Sequence, residues 1–71
     1  MDRINRYGLL RLQYLKTRRP HQLADIERRQ LLEKHLLDCQ YQVELELGQL
    51  ISAGLEDDKA EQYVLDEFIY S

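Results

Sequence analysis

Along most of this chain the apolar residues recur every three or four positions, and along one stretch they recur every two. From Ile4 to Lys16, Tyr7, Leu10 and Tyr14 stand at helical spacing, with Leu9, Leu12 and Leu15 widening the face. A helix turns once every 3.6 residues, so this spacing gathers them on one side. It predicts a first helix over residues 4–17, which Gly8 weakens by about 1 kcal/mol relative to alanine. The ring of Pro20 disfavours a helical Arg19, and proline is well placed at the first position of a helix. A boundary is therefore expected between Thr17 and Pro20.

From His21 onward there is no Gly or Pro until Gly48, and Leu, Glu, Gln, Arg and Lys, all strong helix formers, dominate. Asp25 with Arg29, Arg29 with Glu33 and Lys34 with Asp38 fall at supporting four-residue spacing. One helix over residues 20–53 is expected, with Gly48 the place where it would bend and Gly54 at a left-handed C-cap position. The stretch YQVELELG alternates with period two, the pattern of a half-buried strand. A strand needs a partner, no other segment reads as one, and no turn signal precedes it, so it is assigned to the helix.

That assignment has consequences for packing. Leu32, Leu36, Cys39, Val43, Leu47 and Leu50 form one apolar stripe, and Leu23, Ile26, Leu37, Tyr41, Leu45 and Ile51 form a second one well round the helix. A helix apolar on two sides has neighbours on both. About 33 residues at 1.5 Å each span roughly 50 Å, against a radius of gyration near 11 Å for a compact domain of this size, taken as about 2.2·N^0.38 Å. Such a helix must break, or something must cover its overhang. After Gly54 a third helix is expected over residues 58–70, with Asp58 and Glu61 as a capping box and acids crowding the first turn. Val64 and Phe68 mark its apolar face, and about a dozen residues need a surface to dock on.

The whole is thus an all-α chain of two to three helices with a long central one, a helical hairpin or three-helix bundle. At 71 residues it is one small domain at most, and chains this short often gain stability by oligomerising or by binding a partner. Cys39 is the only cysteine, which excludes an internal disulfide and fits a reducing compartment. Arg11 interrupts the apolar run GLLRLQYLK, so it does not read as a secretory signal, and no run approaches the length of a membrane span. Asp2 follows Met1 and no prenylation cysteine is present, so no lipid anchor is read. These features make the expected location cytoplasmic, away from membranes.

The net charge of −3 hides a gradient. Residues 1–19 carry six bases against Asp2 alone, whereas residues 55–71 carry six acids against Lys59 alone. In an up-down-up arrangement the first and last helices lie side by side, and the two ends can pair. The cluster Lys16, Arg18 and Arg19, with Arg11, also has the composition of a phosphate-binding patch beside Tyr7 and Tyr14. The plainer reading is that cations complement the C-terminal end of the first helix. Overall acidity, and the absence of a helix-turn-helix glycine turn or a zinc pattern, count against a nucleic-acid reader.

His35 and Cys39 stand four apart, but zinc needs three or four ligands, and no second pair has suitable spacing. No metal or other cofactor is expected, and Cys39 reads as a small residue of the first stripe. With two serines and no glycine-rich loop, little is present for phosphate or acyl chemistry, and no enzymatic activity is expected. The outline is similar in shape to small helical-hairpin adaptors and chaperones of bacteria and phages, without a shared motif. The expected function is a non-enzymatic protein–protein interaction module, an adaptor, regulator or chaperone-like subunit. It would act on a second copy or another protein through Leu37, Tyr41 and Leu45, with Val64 and Phe68. The alternative is a small nucleic-acid-binding regulator using Arg11, Lys16, Arg18 and Arg19.

Overall fold

The computed structural model describes residues 3–70, and all its regular elements are helical. Four α-helices follow in order, α1 (Arg6–Arg18), α2 (Pro20–Arg28), α3 (Leu32–Ser52) and α4 (Asp57–Val64), and a π-helical turn over Leu65–Ile69 continues α4. The expectations that rest on Met1, Asp2 and Ser71 lie outside the described residues. The period-two stretch lies wholly inside α3, which runs through Gly48 without interruption.

α1 starts two residues later than its apolar spacing suggests, because Asn5 is its N-cap. The Asn5 backbone is extended, and its Oδ1 accepts hydrogen bonds from the N–H groups of Tyr7 at 2.9 Å and Gly8 at 3.3 Å. That satisfies donors which a helix start otherwise leaves open. At the other end Arg19 adopts φ −134° and ψ 55°, the non-helical backbone that a following proline favours, and Pro20 opens α2.

The long central helix does not form; it breaks after Arg28 and restarts at Leu32. Gln30 takes φ 59°, in the left-handed region. Its N–H bonds the carbonyl of Glu27 at 2.9 Å, and the N–H of Leu31 reaches back to Ile26 at 3.0 Å. These two bonds form a Schellman C-cap with glutamine where glycine is usual. The same motif recurs at the end of α3. There Gly54, at φ 100°, bonds Ile51 while Leu55 bonds Leu50, both at 3.0 Å. The break at Gln30 folds α2 back so that Leu23 is buried, and the molecule measures 41 × 23 × 14 Å rather than trailing a 50 Å rod. A left-handed conformation costs a non-glycine residue roughly 1–2 kcal/mol. Gln30→Gly is therefore expected to stabilise the protein by about 1 kcal/mol, raising Tm by roughly 4–8 °C. A thermal melt showing no gain would mean that the exposed Gln30 side chain contributes as much as the strain removes.

α1 runs antiparallel to α3, since Asn5 meets Gln40 and Glu44 while Arg11 meets His35. The α4 segment returns alongside α1, with Arg6 on Glu61 and Arg11 on Ile69. Tyr7, Val43, Val64 and Ile69 form the centre of the core, with Leu10, Cys39, Leu47, Leu50, Leu65 and Phe68 packed against it. Leu15 and Leu36 are also wholly buried. The first stripe of α3 thus faces the core. The basic and acidic ends do meet: the Arg6 guanidinium donates to both Glu61 oxygens, at 3.1 and 2.8 Å. This fork lowers the Glu61 pKa from its ordinary carboxylate value. It also removes Glu61 from the expected capping box with Asp58. α4 instead begins after Glu56, with no side-chain cap bond and with Asp57 and Asp58 in its first turn.

Candidate functional site

The outer face of α3 lies opposite its buried residues. At 100° per residue, Leu37, Tyr41, Leu45, Gly48 and Ser52 line up on the side away from Leu36, Gln40 and Val43. None of the five is charged, in a chain that is 32% charged. Tyr41 is 62% exposed and Leu45 46%, while Leu37 is half-buried. A β-carbon at Gly48 would meet nothing within 4 Å, so the stripe has an open notch. Leu37 and Tyr41 also line a shallow groove of about 350 Å³ with Asp38, Gln40 and Glu44.

The other two residues expected on a partner-binding face lie elsewhere. Val64 is wholly buried and Phe68 is half-buried against the core, because the chain's own α3 covers the apolar face of the last helix. Val64 offers no surface in this fold, whereas Phe68 keeps part of its ring accessible. A dozen-residue helix gains its stability from such docking, so its best apolar residues go to the interior.

Arg11, expected among phosphate-binding residues, is buried at 7% exposure. Its Nη1 donates to the Ile69 carbonyl at 2.7 Å and its Nε to His35 Nε2 at 3.3 Å. The guanidinium carbon lies 5.4 Å from the centre of the Tyr14 ring. Arg11 thereby caps the π turn, whose wider ring is closed by Tyr70 N–H on Leu65 O at 3.0 Å. It ties α1, α3 and the last turn together. Lys16, Arg18 and Arg19 are exposed. Arg18 and Arg19 line an open groove of about 670 Å³ whose wall includes Tyr14 and Tyr70.

His35 accepts the Arg11 bond, so Nε2 carries no proton. Burial pushes its pKa down and the Arg11 charge pushes it further, with Asp38 opposing. Cys39 donates from Sγ to the Phe68 carbonyl at 3.3 Å. Burial raises its thiol pKa, which disfavours the thiolate a nucleophile or metal ligand needs. Among the described residues, no group of three or more His, Cys, Asp or Glu is placed to hold a metal ion.

One further contact had no place in the reading of periodicity. The Gln40 side chain, only 9% exposed, accepts from Asn5 N–H at 3.0 Å and donates to the Arg3 carbonyl at 2.9 Å. It lies over Gly8, where a β-carbon would stand 2.5 Å from Gln40 Oε1. The glycine in an otherwise good helix was the available signal.

No family model matches the chain, and neither do any of the curated proteins or solved structures compared with it. Among the described residues no helix is long and apolar enough to cross a membrane.

Proposed function

We propose that this protein is a non-enzymatic interaction module whose α3 outer face docks a second copy of itself in antiparallel fashion. The observation that carries this reading is the stripe Leu37, Tyr41, Leu45, Gly48 and Ser52, uncharged beyond Lys34 in the first turn of α3, with four of its five residues exposed although the core is complete without it. The stripe is self-complementary. If two α3 helices cross antiparallel about residue 43, Tyr41 of each copy faces Leu45 of the other, and each Leu37 falls beside the notch at Gly48. Large residues then meet small ones, and the contact closes on a two-fold axis. A face one helix wide is smaller than the standard interface of about 800 Å² per partner, so moderate affinity is expected.

The test is absolute mass by light scattering on a sizing column across a concentration series, for the native chain and for Tyr41→Asp. The native chain is expected to shift from one copy to two as concentration rises. Tyr41→Asp places two carboxylates in the dry centre of the pair, and burying an unpaired charge costs roughly 3 kcal/mol or more. Dimerisation should weaken at least about 100-fold while the far-ultraviolet circular dichroism of the variant stays helical. A native chain that remains a single copy throughout, or a variant that keeps the dimer mass, would overturn the reading.

A further inference from the structure

Beyond the α3 face, a groove lined by α1 and the chain after the π turn has a different chemistry. It is walled by Leu10, Gln13 and Tyr14 of α1, by Arg18 and Arg19 where α1 passes into α2, and by Tyr70 after the π turn. Its volume, about 670 Å³, lies within the range of small-molecule sites, roughly 300–1,000 Å³. Among the described residues no carboxylate lines it. Arg18 and Arg19 are exposed, and neither takes part in the ion pairs seen elsewhere among the described residues. Lys16 and Lys59 are likewise outside those ion pairs; what sets Arg18 and Arg19 apart is that both line one groove beside two tyrosines.

The aromatic wall is held in place by the fold. Tyr14 and Tyr70 meet edge to face, with centres 5.8 Å apart and planes at 62°, and the Arg11 guanidinium supports Tyr14. The π turn carries one extra residue, so Ile69 enters the core while the next residue, Tyr70, comes round beside Tyr14. Tyr70 stays 44% exposed, leaving ring surface open to the groove. A π turn of this kind often marks a functional position in a helix. The wall thus offers ring surface beside two guanidinium groups, the combination that single-stranded nucleic-acid sites use for base stacking and phosphate pairing.

We infer that this groove binds a nucleotide, its base against Tyr70 and its phosphate on Arg18 and Arg19. The source is either a free nucleotide or one unit of a single strand; two cations suit no more than about two phosphates. The acidity of the rest of the molecule confines binding to this spot and disfavours wrapping a long strand. Arg11 holds the Tyr14 wall without lining the groove, and no residue of α3 lines it.

The experiment is fluorescence anisotropy of a labelled ten-nucleotide oligothymidylate with the full chain, at low salt. Binding is expected, falling about sevenfold between 50 and 200 mM salt if two phosphates are neutralised on a single strand, with a log–log slope near −1.4. Tyr70→Ala should weaken it about 5- to 150-fold, the range for loss of one stacked base, and Tyr70→Phe should restore it. Arg18→Gln with Arg19→Gln, both on the surface, should flatten the salt dependence. Competition by thymidine monophosphate at similar nucleotide concentration would identify a free nucleotide as the ligand, and competition by oligonucleotide alone would identify a strand. Absence of binding at low salt overturns the inference. So does binding indifferent to Tyr70→Ala, or equal displacement by an oligoglutamate peptide, which would mark the groove as a site for acidic peptides.

Discussion

Replacing Arg11 with methionine is expected to lower the free energy of unfolding by about 2–3 kcal/mol, the value for hydrogen bonds from a charged donor to buried acceptors. For a domain of this length that corresponds to a fall in Tm of roughly 10–20 °C. Methionine keeps most of the apolar stem of the side chain, so the loss reports on the guanidinium. That group donates to the Ile69 carbonyl at the end of the π turn and to His35 on α3, from its own place on α1. Without it the Ile69 carbonyl loses its charged donor in the interior, where an unmade bond costs more than a made one contributes. A second readout separates electrostatics from simple loss of packing. Arg11 is one of the two causes that depress the His35 pKa, so that pKa should rise in Arg11→Met, as followed by the proton shifts of the imidazole. The comparison variant is Arg18→Met on the same helix, exposed and outside the core, for which a change within about 0.5 kcal/mol is expected. Equal melting temperatures for the two variants would show that Arg11 is not a structural tie.

The helical nature of each segment was legible because strong helix formers and three- to four-residue apolar spacing dominate, and because the one period-two stretch had no strand to pair with. Pro20 and Gly54 marked their boundaries through backbone preferences that follow from the residue type alone. The break at Gln30 carried no such mark. A Schellman cap announces itself by glycine or asparagine at the left-handed position, and glutamine there is silent. The only warning was length: a 50 Å helix has no room in a chain of 71 residues. Burial of Leu23 is the tertiary contribution that repays the strain, and it is invisible to local spacing.

Of the site, the α3 stripe could be read from helical geometry, since Leu37, Tyr41 and Leu45 are four apart and out of phase with the core stripe. Val64 and Phe68 could not be assigned to a partner or to the interior by spacing, because an apolar face has the same pattern in both cases. Arg11 illustrates a different limit. It stands four residues from both Tyr7 and Leu15, the positions α1 buries, so its phase already placed it on the inner face. A charged residue there is expected at the surface on base composition, yet a guanidinium can be buried when carbonyls and a neutral imidazole receive it. The two-tyrosine groove depended on the π turn, which shifts Tyr70 by one residue relative to an α-helix and leaves no signature in composition.

Gly8→Ala should destabilise the protein by about 2 kcal/mol, the opposite of the roughly 1 kcal/mol gain that helix propensity alone assigns to the exchange. The new β-carbon would stand 2.5 Å from Gln40 Oε1 and 2.6 Å from Ile4 Cγ2, closer than real contacts allow. Ile4 and Gln40 must both move, and Gln40 is not free to do so cheaply. Its amide is buried and bridges the Asn5 N–H and the Arg3 carbonyl, in effect pairing the entry segment of α1 with α3. Overpacking costs about 1–3 kcal/mol, and each neutral bond lost adds about 1 kcal/mol before the propensity gain is subtracted. The two residues should therefore be coupled. Gln40→Ala alone is destabilising because it abandons both backbone groups, but Gly8→Ala added to it meets only the Ile4 side chain and should cost about 1 kcal/mol or less. A double-mutant cycle by urea unfolding is expected to give a coupling energy of about 1–2 kcal/mol. Additive effects would mean that Gly8 is required by something other than the close approach of Gln40, and a stabilised Gly8→Ala would mean that the entry segment yields to the new methyl group at almost no cost.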